Sequence, residues 1–337
     1  MSFDLFNAWL EMKAQLPKLS IEGFGLFYVY PLFLVLIVME YLKAKEVYDL
    51  KESVSGLVIG LGATVMKVFT GVFEISIYLF LFQWSAPLRE SLLGYTSLGT
   101  AWYVWLACMI ADDHNFYWHH RICHNVRLLW AAHLPHHSAH SFNLTVSIRN
   151  GWFITLFKPV YWLWMPLLGF EPIMIATCLI ANSFYQFFLH SQLVPSLGWY
   201  ERIFNTPFVH VVHHSSNTEY LDRNHGGILL IWDKIYGTWQ APIKGLAPKY
   251  GISHDPGSYN PVTHNLFEFQ EIWRDVKKSP KWKDKWMYIF GPPGWSHDGS
   301  SKTSGQLQAE LKSEKERPAH SGQSIGQPRP VPVGAHH

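Results

Sequence analysis

Residues 112–143 read DDHNFYWHHRICHNVRLLWAAHLPHHSAHSFN, and the rest of the chain is organised to hold this stretch. It carries eight of the chain's nineteen histidines. His120 and His124 stand at i, i+4, which places two imidazoles on one helix face. His133, His136 and His137 follow as an H-x-x-H-H triplet, and His210, His213 and His214 repeat that triplet downstream. Neutral imidazole is the commonest nitrogen ligand for borderline transition metals. A contiguous His-His pair can send its two side chains to two different ions, and there is more histidine here than one metal needs.

Composition sets the surroundings of this stretch. The 337 residues are 48% hydrophobic and 16% aromatic, yet only 15% charged, against about 25% charged in an ordinary soluble protein. That bias points to a membrane. A net charge of +2 with no basic, aromatic-interleaved cluster sets nucleic acid aside as a partner. Cys108, Cys123 and Cys178 sit in or beside apolar runs and read as buried small hydrophobes, not as a disulfide framework.

Upstream of the histidines, residues 1–22 carry acids among apolar residues and read as an interfacial segment, not a signal peptide. Phe24 to Leu42 is close to the ~20 apolar residues that span a bilayer as helix. Lys43, Lys45 and Lys51 follow it and mark the cytoplasmic side. Val54 to Trp84 reads as a tilted or broken second helix. Lys67 and Glu74 in that run share one helix face, and each would cost about 2.5–3.5 kcal/mol facing lipid at a helix centre, so they are expected to pair or to face protein. Ser85 to Gly99, with its lone Arg89, reads as a loop on the opposite side, and a third span begins near Thr100 and delivers the histidines to the cytoplasmic face.

Downstream, Trp152 to Leu168 and Pro172 to Leu189 flank the break Gly169 to Pro172 and form a helical hairpin, either two full spans or a shallower re-entrant pair. Pro159 and Pro166 kink its first arm. The second arm returns His190 to the face where the cluster emerges, which makes His190 a ninth ligand. Phe267 to Trp286 reads as an amphipathic segment on the membrane surface. Residues 297–337 lose their aromatics and read as a disordered tail, so His320, His336 and His337 are left out of any site.

Around the ligand set, His225 reads as a further ligand or as a residue that hydrogen-bonds one. Asp113 and Asp222 read as acceptors for the second ring N–H of a ligating histidine, with pairing to Arg121 or Arg223 as their alternative. Asp233 reads as structural, and His114, His119 and His140 flank the set without joining it. An all-nitrogen, two-metal site fed by apolar helices suits dioxygen activation against an unactivated C–H bond, with iron as the natural metal because zinc and magnesium supply no electrons. H-E-x-x-H, the zinc protease signature, is absent.

These motifs resemble a known family. Asp113, Tyr117, Trp118, His120, Arg121 and His124 form D-x-x-x-Y-W-x-H-R-x-x-H, and W-A-A-H-x-x-H-H-S runs from Trp130 to Ser138. N-T-P-x-x-H-x-x-H-H starts at Asn205, and Y-L-D-x-N-x-G-G-x-L-x-I-W-D-K-I-x-G-T starts at Tyr220. Together they resemble the fatty acid hydroxylase/sterol desaturase family of membrane di-iron oxygenases, nearest its alkylglycerol monooxygenase-like branch, over about Phe33 to Trp239. Gln186 stands where the fatty acid 2-hydroxylase branch has a histidine, which argues against that branch.

The resemblance implies an all-α integral membrane protein, roughly a four-helix transmembrane bundle with a cytoplasmic histidine-rich helical cap, its catalytic domain being residues 23–296. It implies two irons held by the eight motif histidines, with His190 matching a further ligand position, O2 as co-substrate and an external electron donor. A tetrahydropterin is the implied reductant should alkylglycerols be the substrate. The expected reaction is hydroxylation of an alkyl or ether lipid, a sterol or a fatty acyl chain. A desaturase on the same ligands is the alternative, and a membrane metal-binding or transport protein is the rival from another class. The expected setting is a bacterial inner membrane or the endoplasmic reticulum, with the site facing the cytoplasm.

Overall fold

A computed structural model describes residues 29–316. The interfacial segment at 1–22 and the last part of the tail, 317–337, lie outside the described residues. Within them the chain is helical, with one isolated bridge between Phe204 and Leu229 and no strand. Helix α1 spans Tyr30–Lys43, α2 Leu50–Leu93, α3 Trp102–Asn125, α4 Arg127–His137 and α5 Leu144–Ile148. Helix α6 spans Pro172–Phe187 and ends in a tight turn, Phe188–His190. Then come α7 (Pro207–His213), α8 (Pro261–Lys278), α9 (Trp282–Phe290) and α10 (Ser304–Glu316).

Among the described residues two helices are long and apolar enough to cross a membrane, Leu50–Leu93 and Pro172–His190. Leu34, Val35 and Val38 on α1, Phe69, Phe73 and Trp84 on α2, and Ile173 and Ile180 on α6 are exposed, which gives these helices an apolar outer surface. Phe33 and Ile37 of α1 pack with Leu144 and Phe187, while Tyr78, Cys108, Trp162 and Met174 join α2, α3 and α6 in a second core. At the crossing of α2 and α5 a Cβ on Gly60 would lie 2.5 Å from the carbonyl oxygen of Ile148. Only glycine lets the two backbones meet there. The three cysteines are free and buried, as their apolar neighbours suggest.

Several expectations are corrected. Helix α2 is not broken: it starts on the Asp49 cap, runs 44 residues through Pro87 and ends at Gly94 in the left-handed conformation. Its length of about 66 Å exceeds a hydrocarbon core. Arg89 is accordingly no loop residue but a buried helical one, donating to the carbonyls of Thr96, Phe82 and Pro166. Bonded to carbonyls in this way, its charge can sit within the fold instead of in a loop. Lys67 and Glu74 pair directly, and Tyr78 adds a hydroxyl to Glu74.

The first arm of the expected hairpin is not a continuous span. It consists of short pieces, Ile154–Phe157, Lys158–Trp162 and Trp164–Leu168, because Pro159 and Pro166 remove backbone donors. Helix α8 lays its apolar side on protein: Phe269 packs on Phe153, and Arg127 of α4 pairs with Glu268 and Asp275, leaving Trp273, Trp282 and Trp286 exposed.

The tail from residue 297 is also more ordered than its polar composition implied. Thr303 and Gln306 form a reciprocal capping box, each accepting the other's backbone N–H. The segment that follows is rich in good helix formers and forms α10, which docks through Gln308 to the Leu221 carbonyl and Lys315 to Glu219.

Candidate metal centre

The nine histidines expected as ligands separate into two groups. His120, His124, His133, His137 and His213 form one, and His136, His190, His210 and His214 form the other; within each group the ligand nitrogens lie within 4.8 Å of one another. Each triplet divides between the groups. His136 and His137 part company, as do His213 and His214, because consecutive residues at a helix end project about 100° apart. The groups are adjacent, with the His137 and His214 rings stacked at 4.4 Å.

Four helices deliver these side chains, and all four end at the cluster: α3 after His124, α4 at His137, α6 through its terminal turn at His190, and α7 at His213. Helix C-termini carry about half a negative charge each. Their convergence favours a cation before any side chain is counted.

The ring hydrogen bonds fix which nitrogen faces inward. Nδ1 of His120 donates to the His225 carbonyl at 2.9 Å, Nδ1 of His190 to the Gln186 carbonyl at 2.9 Å, and Nδ1 of His213 to the Arg223 carbonyl at 2.8 Å. Each bond leaves Nε2 with a lone pair directed at the group's centre. Nε2 of His120, His124 and His213 is buried and has no hydrogen-bond partner among the described residues. In the second group Nε2 of His190 lies 3.2 Å from His136 Nε2, 3.1 Å from His214 Nε2 and 3.3 Å from His210 Nε2. One lone pair accepts one donor well, not three. With metal–nitrogen bonds of about 2.1 Å, neighbouring ligand nitrogens stand about 3.0 Å apart, so these spacings fit a bound metal.

Burial pushes His133, His136, His137, His210, His213 and His214 well below the ordinary imidazole range, and their mutual proximity adds to it. The rings are therefore neutral, the form that ligates. Trp130 covers the first group, 5.1 Å from His124 and 5.5 Å from His137, and Phe142 covers the second, 5.1 Å from His214 and 5.7 Å from His190.

The flanking residues sort by contact. Asp222 stands 3.4 Å from Nδ1 of His124, as expected of an orienting acceptor. Burial alone would raise its carboxyl, but hydrogen bonds to His124 and Ser304 hold it below the usual range. Asp222 and Asn224 both adopt left-handed φ, 54° and 56°, which Asp and Asn tolerate best among side-chain-bearing residues. Asn224 is held there by bonds to Val209 and Gln240.

Asp113 does not serve a histidine. It accepts from the backbone of Ile228 and Leu229 and from Trp232, because it faces away from the imidazoles and ties α3 to the segment after His225. Asp233 is structural, binding the His225 and Gly226 N–H groups and Thr238. His225 is wholly buried, 5.1 Å ring to ring from His124; it belongs to a third set with His124 and Asp222, its Nδ1 lies 4.0 Å from Asp233, and neither ring nitrogen has a hydrogen-bond partner among the described residues. His119 packs beside Cys123, His114 bonds Tyr236, and His140 is exposed; none joins the two groups.

Two acids that hold the site were not singled out from sequence. Glu52 of α2 receives the N–H of His140 and of Ser141, just after the first triplet. Glu40 of α1 receives Leu144 N–H, Tyr48 O–H and the hydroxyl of Ser191, next to His190. The one signal in the sequence was an acid inside or beside an apolar run.

A family described as Fatty acid hydroxylase matches residues 105–238, which contain all nine histidines. Human alkylglycerol monooxygenase is 29% identical over 276 residues, covering 80% of this chain and 58% of that protein. Its counterpart from Xenopus tropicalis is 32% identical, over 57% of this chain and 43% of its own length. An ornithine lipid hydroxylase of Rhizobium tropici is 31% identical, over 43% of this chain and 44% of its own. The chain thus spans roughly half the length of these relatives. No solved structure matches it.

Proposed function

We propose, from the match of residues 105–238 to the fatty acid hydroxylase family, that the chain is a membrane-bound di-iron oxygenase that hydroxylates a C–H bond of a lipid. The observation that carries this reading is the division of nine histidines into groups of five and four whose ligand nitrogens lie within 4.8 Å of one another. In this reading His120, His124, His133, His137 and His213 hold one iron, and His136, His190, His210 and His214 hold the other. Bound iron supplies the redox chemistry that activates O2, using two electrons from an external donor.

The chain's own residues do the rest. The carbonyls of Gln186, Arg223 and His225 and the carboxylate of Asp222 fix ring orientation and tautomer. Trp130 and Phe142 keep bulk water from the two groups. Regiochemistry rests on how the lipid is seated. The chemistry named for the relatives makes an alkylglycerol or another lipid with a long alkyl chain the substrate to test first, with a tetrahydropterin, the reductant that the sequence resemblance implies, tested beside it. We place the helical cap that holds the histidines on the cytoplasmic side, with α1, α2, α3 and α6 as the membrane bundle. A transporter would string its ligands along a path through the spans; here they close into two adjacent groups at the helix ends.

The test is metal content of detergent-purified protein grown with iron, alongside a His136→Ala, His213→Ala double variant, followed by product analysis of lipids incubated with 18O2. About two irons per chain, lost in the variant, with one labelled oxygen in the product, is the expected result. One iron or none in the intact protein overturns the two-metal reading, and an alkene in place of an alcohol makes the chain a desaturase.

A further inference from the structure

The nine histidines of the two groups lie under packed side chains: eight of them are under 9% exposed, and His133 is half-buried beside Trp130. An ion that fills the five-histidine group has to come in past a residue that solvent reaches. Asp222 is such a residue. Its side chain is 30% exposed and stands 3.4 Å from Nδ1 of His124, and Ser304 at the start of α10 bonds it.

His225 completes a set with these two. One ligand atom from each of His124, Asp222 and His225 lies within 4.8 Å of the others. His225 is 0% exposed, yet neither of its ring nitrogens has a hydrogen-bond partner among the described residues. Buried polar side chains are paired in the great majority of cases, and Asp233, 4.0 Å from Nδ1 of His225, already accepts from two backbone N–H groups and Thr238. The His225 ring is 5.1, 5.5 and 5.7 Å from the rings of His124, His213 and His120, so it stands beside three members of the five-histidine group without being one of them. Burial first, then the neighbouring His124 ring, hold it well below the ordinary imidazole range. It is therefore neutral, the form that ligates.

A carboxylate and two imidazoles suit a divalent transition metal. Two features keep an ion from staying there. The set has three ligands where the neighbouring group has five, and Arg121 and Arg223 bring positive charge close to His225. His124 is also shared. A neutral imidazole has one lone pair, so His124 serves either this set through Nδ1 or the five-histidine group through Nε2, which is buried and without a partner among the described residues.

We propose that His124, Asp222 and His225 form a third metal site, a transit site through which iron(II) enters and leaves the five-histidine group. Asp222 takes the ion from solvent, His225 and Nδ1 of His124 hold it, and it passes inward as His124 changes the nitrogen it offers. Asp222 then returns to orienting that ring. The inference rests on the two-metal reading and adds how one of the two ions is loaded. Sharing His124 limits the loaded protein to two irons, not three.

The test is iron exchange in the intact, loaded protein. Full-length protein in nanodiscs, grown with natural-abundance iron and kept anaerobic, is mixed with excess 57Fe(II), and bound 57Fe is followed by mass spectrometry after rapid desalting. An ion leaves by the route it enters, so exchange reports on the entry path. His225→Phe removes a ligand but keeps the ring size and the backbone carbonyl that orients His120. It should slow exchange of one of the two irons at least about tenfold, the rate change for a barrier about 1.4 kcal/mol higher, while the total iron content stays that of the parent. The sign decides between roles: replacing a ring that only packs would loosen the site and speed exchange. His225→Leu repeats the test with a smaller side chain and should slow exchange alike. Unchanged or faster exchange in either folded variant overturns the transit site, and unchanged exchange sends the ion in past His133 instead. Loss of one iron in the variants also overturns it, making His225 a permanent ligand, and a third iron in the parent overturns the sharing of His124. Failure of the two-metal reading looks different, because it shows as fewer than two irons in the parent before any exchange begins.

Discussion

Glu52→Gln is the substitution whose outcome the geometry specifies most closely. The Glu52 carboxylate is 6% exposed and uses both oxygens: Oε1 accepts the His140 N–H at 2.7 Å, and Oε2 accepts the Ser141 N–H at 2.9 Å together with the Ser141 hydroxyl. Glutamine has the same shape but one acceptor, so either flip points an NH2 group at a buried backbone N–H. An orphaned buried donor costs about 1–3 kcal/mol, and the surviving bonds lose charge assistance worth about another 1 kcal/mol. The expected destabilisation is about 2–4 kcal/mol. Ser141→Ala, which keeps both backbone bonds, should cost only about 1 kcal/mol. Denaturant titration in mixed micelles, followed by far-UV circular dichroism, measures both. Because His140 and Ser141 lie three and four residues after His137, iron retention should fall in the glutamine variant as well. A glutamine variant within about 0.5 kcal/mol of the parent, or no worse than Ser141→Ala, would refute the claim that this carboxylate anchors the ligand loop.

Three further outcomes are expected. Asp222→Asn removes the charged acceptor beside His124 and should weaken metal affinity about 10–100-fold, read by chelator competition; unchanged affinity would mean Asp222 serves only its own loop. Lys67→Met leaves Glu74 buried with one hydroxyl from Tyr78 and should destabilise by about 3 kcal/mol, while adding Glu74→Gln to it should recover much of that loss; additive losses would show that the two residues are not coupled. His119→Leu should keep the full iron content by elemental analysis, since His119 stands beside Cys123 and outside both groups, and a drop to half would make it a ligand.

Local pattern was enough for much of this protein. An apolar run of membrane length, two H-x-x-H-H triplets and an i, i+4 histidine pair are statements about neighbouring residues, and helix geometry turns neighbours into shared or opposed faces without help from the fold. That the nine histidines would gather was legible for that reason, His190 included. The same local logic misled where a local signal had a distant partner. Pro87 and Arg89 looked like the start of a loop, yet carbonyls from residues 96 and 166 let the helix continue. A polar tail looked disordered, yet it carries a capping box and a docking surface.

What only the tertiary structure decided is which histidine belongs to which group, and what orients each ring. Imidazoles from four helices meet across sequence separations of up to about ninety residues, and their tautomers are set by carbonyls and a carboxylate on still other segments. Asp113 shows the limit most plainly. Its position two turns before His120 on the same helix suits an orienting acceptor, but the face it presents meets backbone N–H groups from residues 228 and 229 instead. Sequence spacing determines which residues share a helix face; what stands opposite that face is settled only when the helices pack.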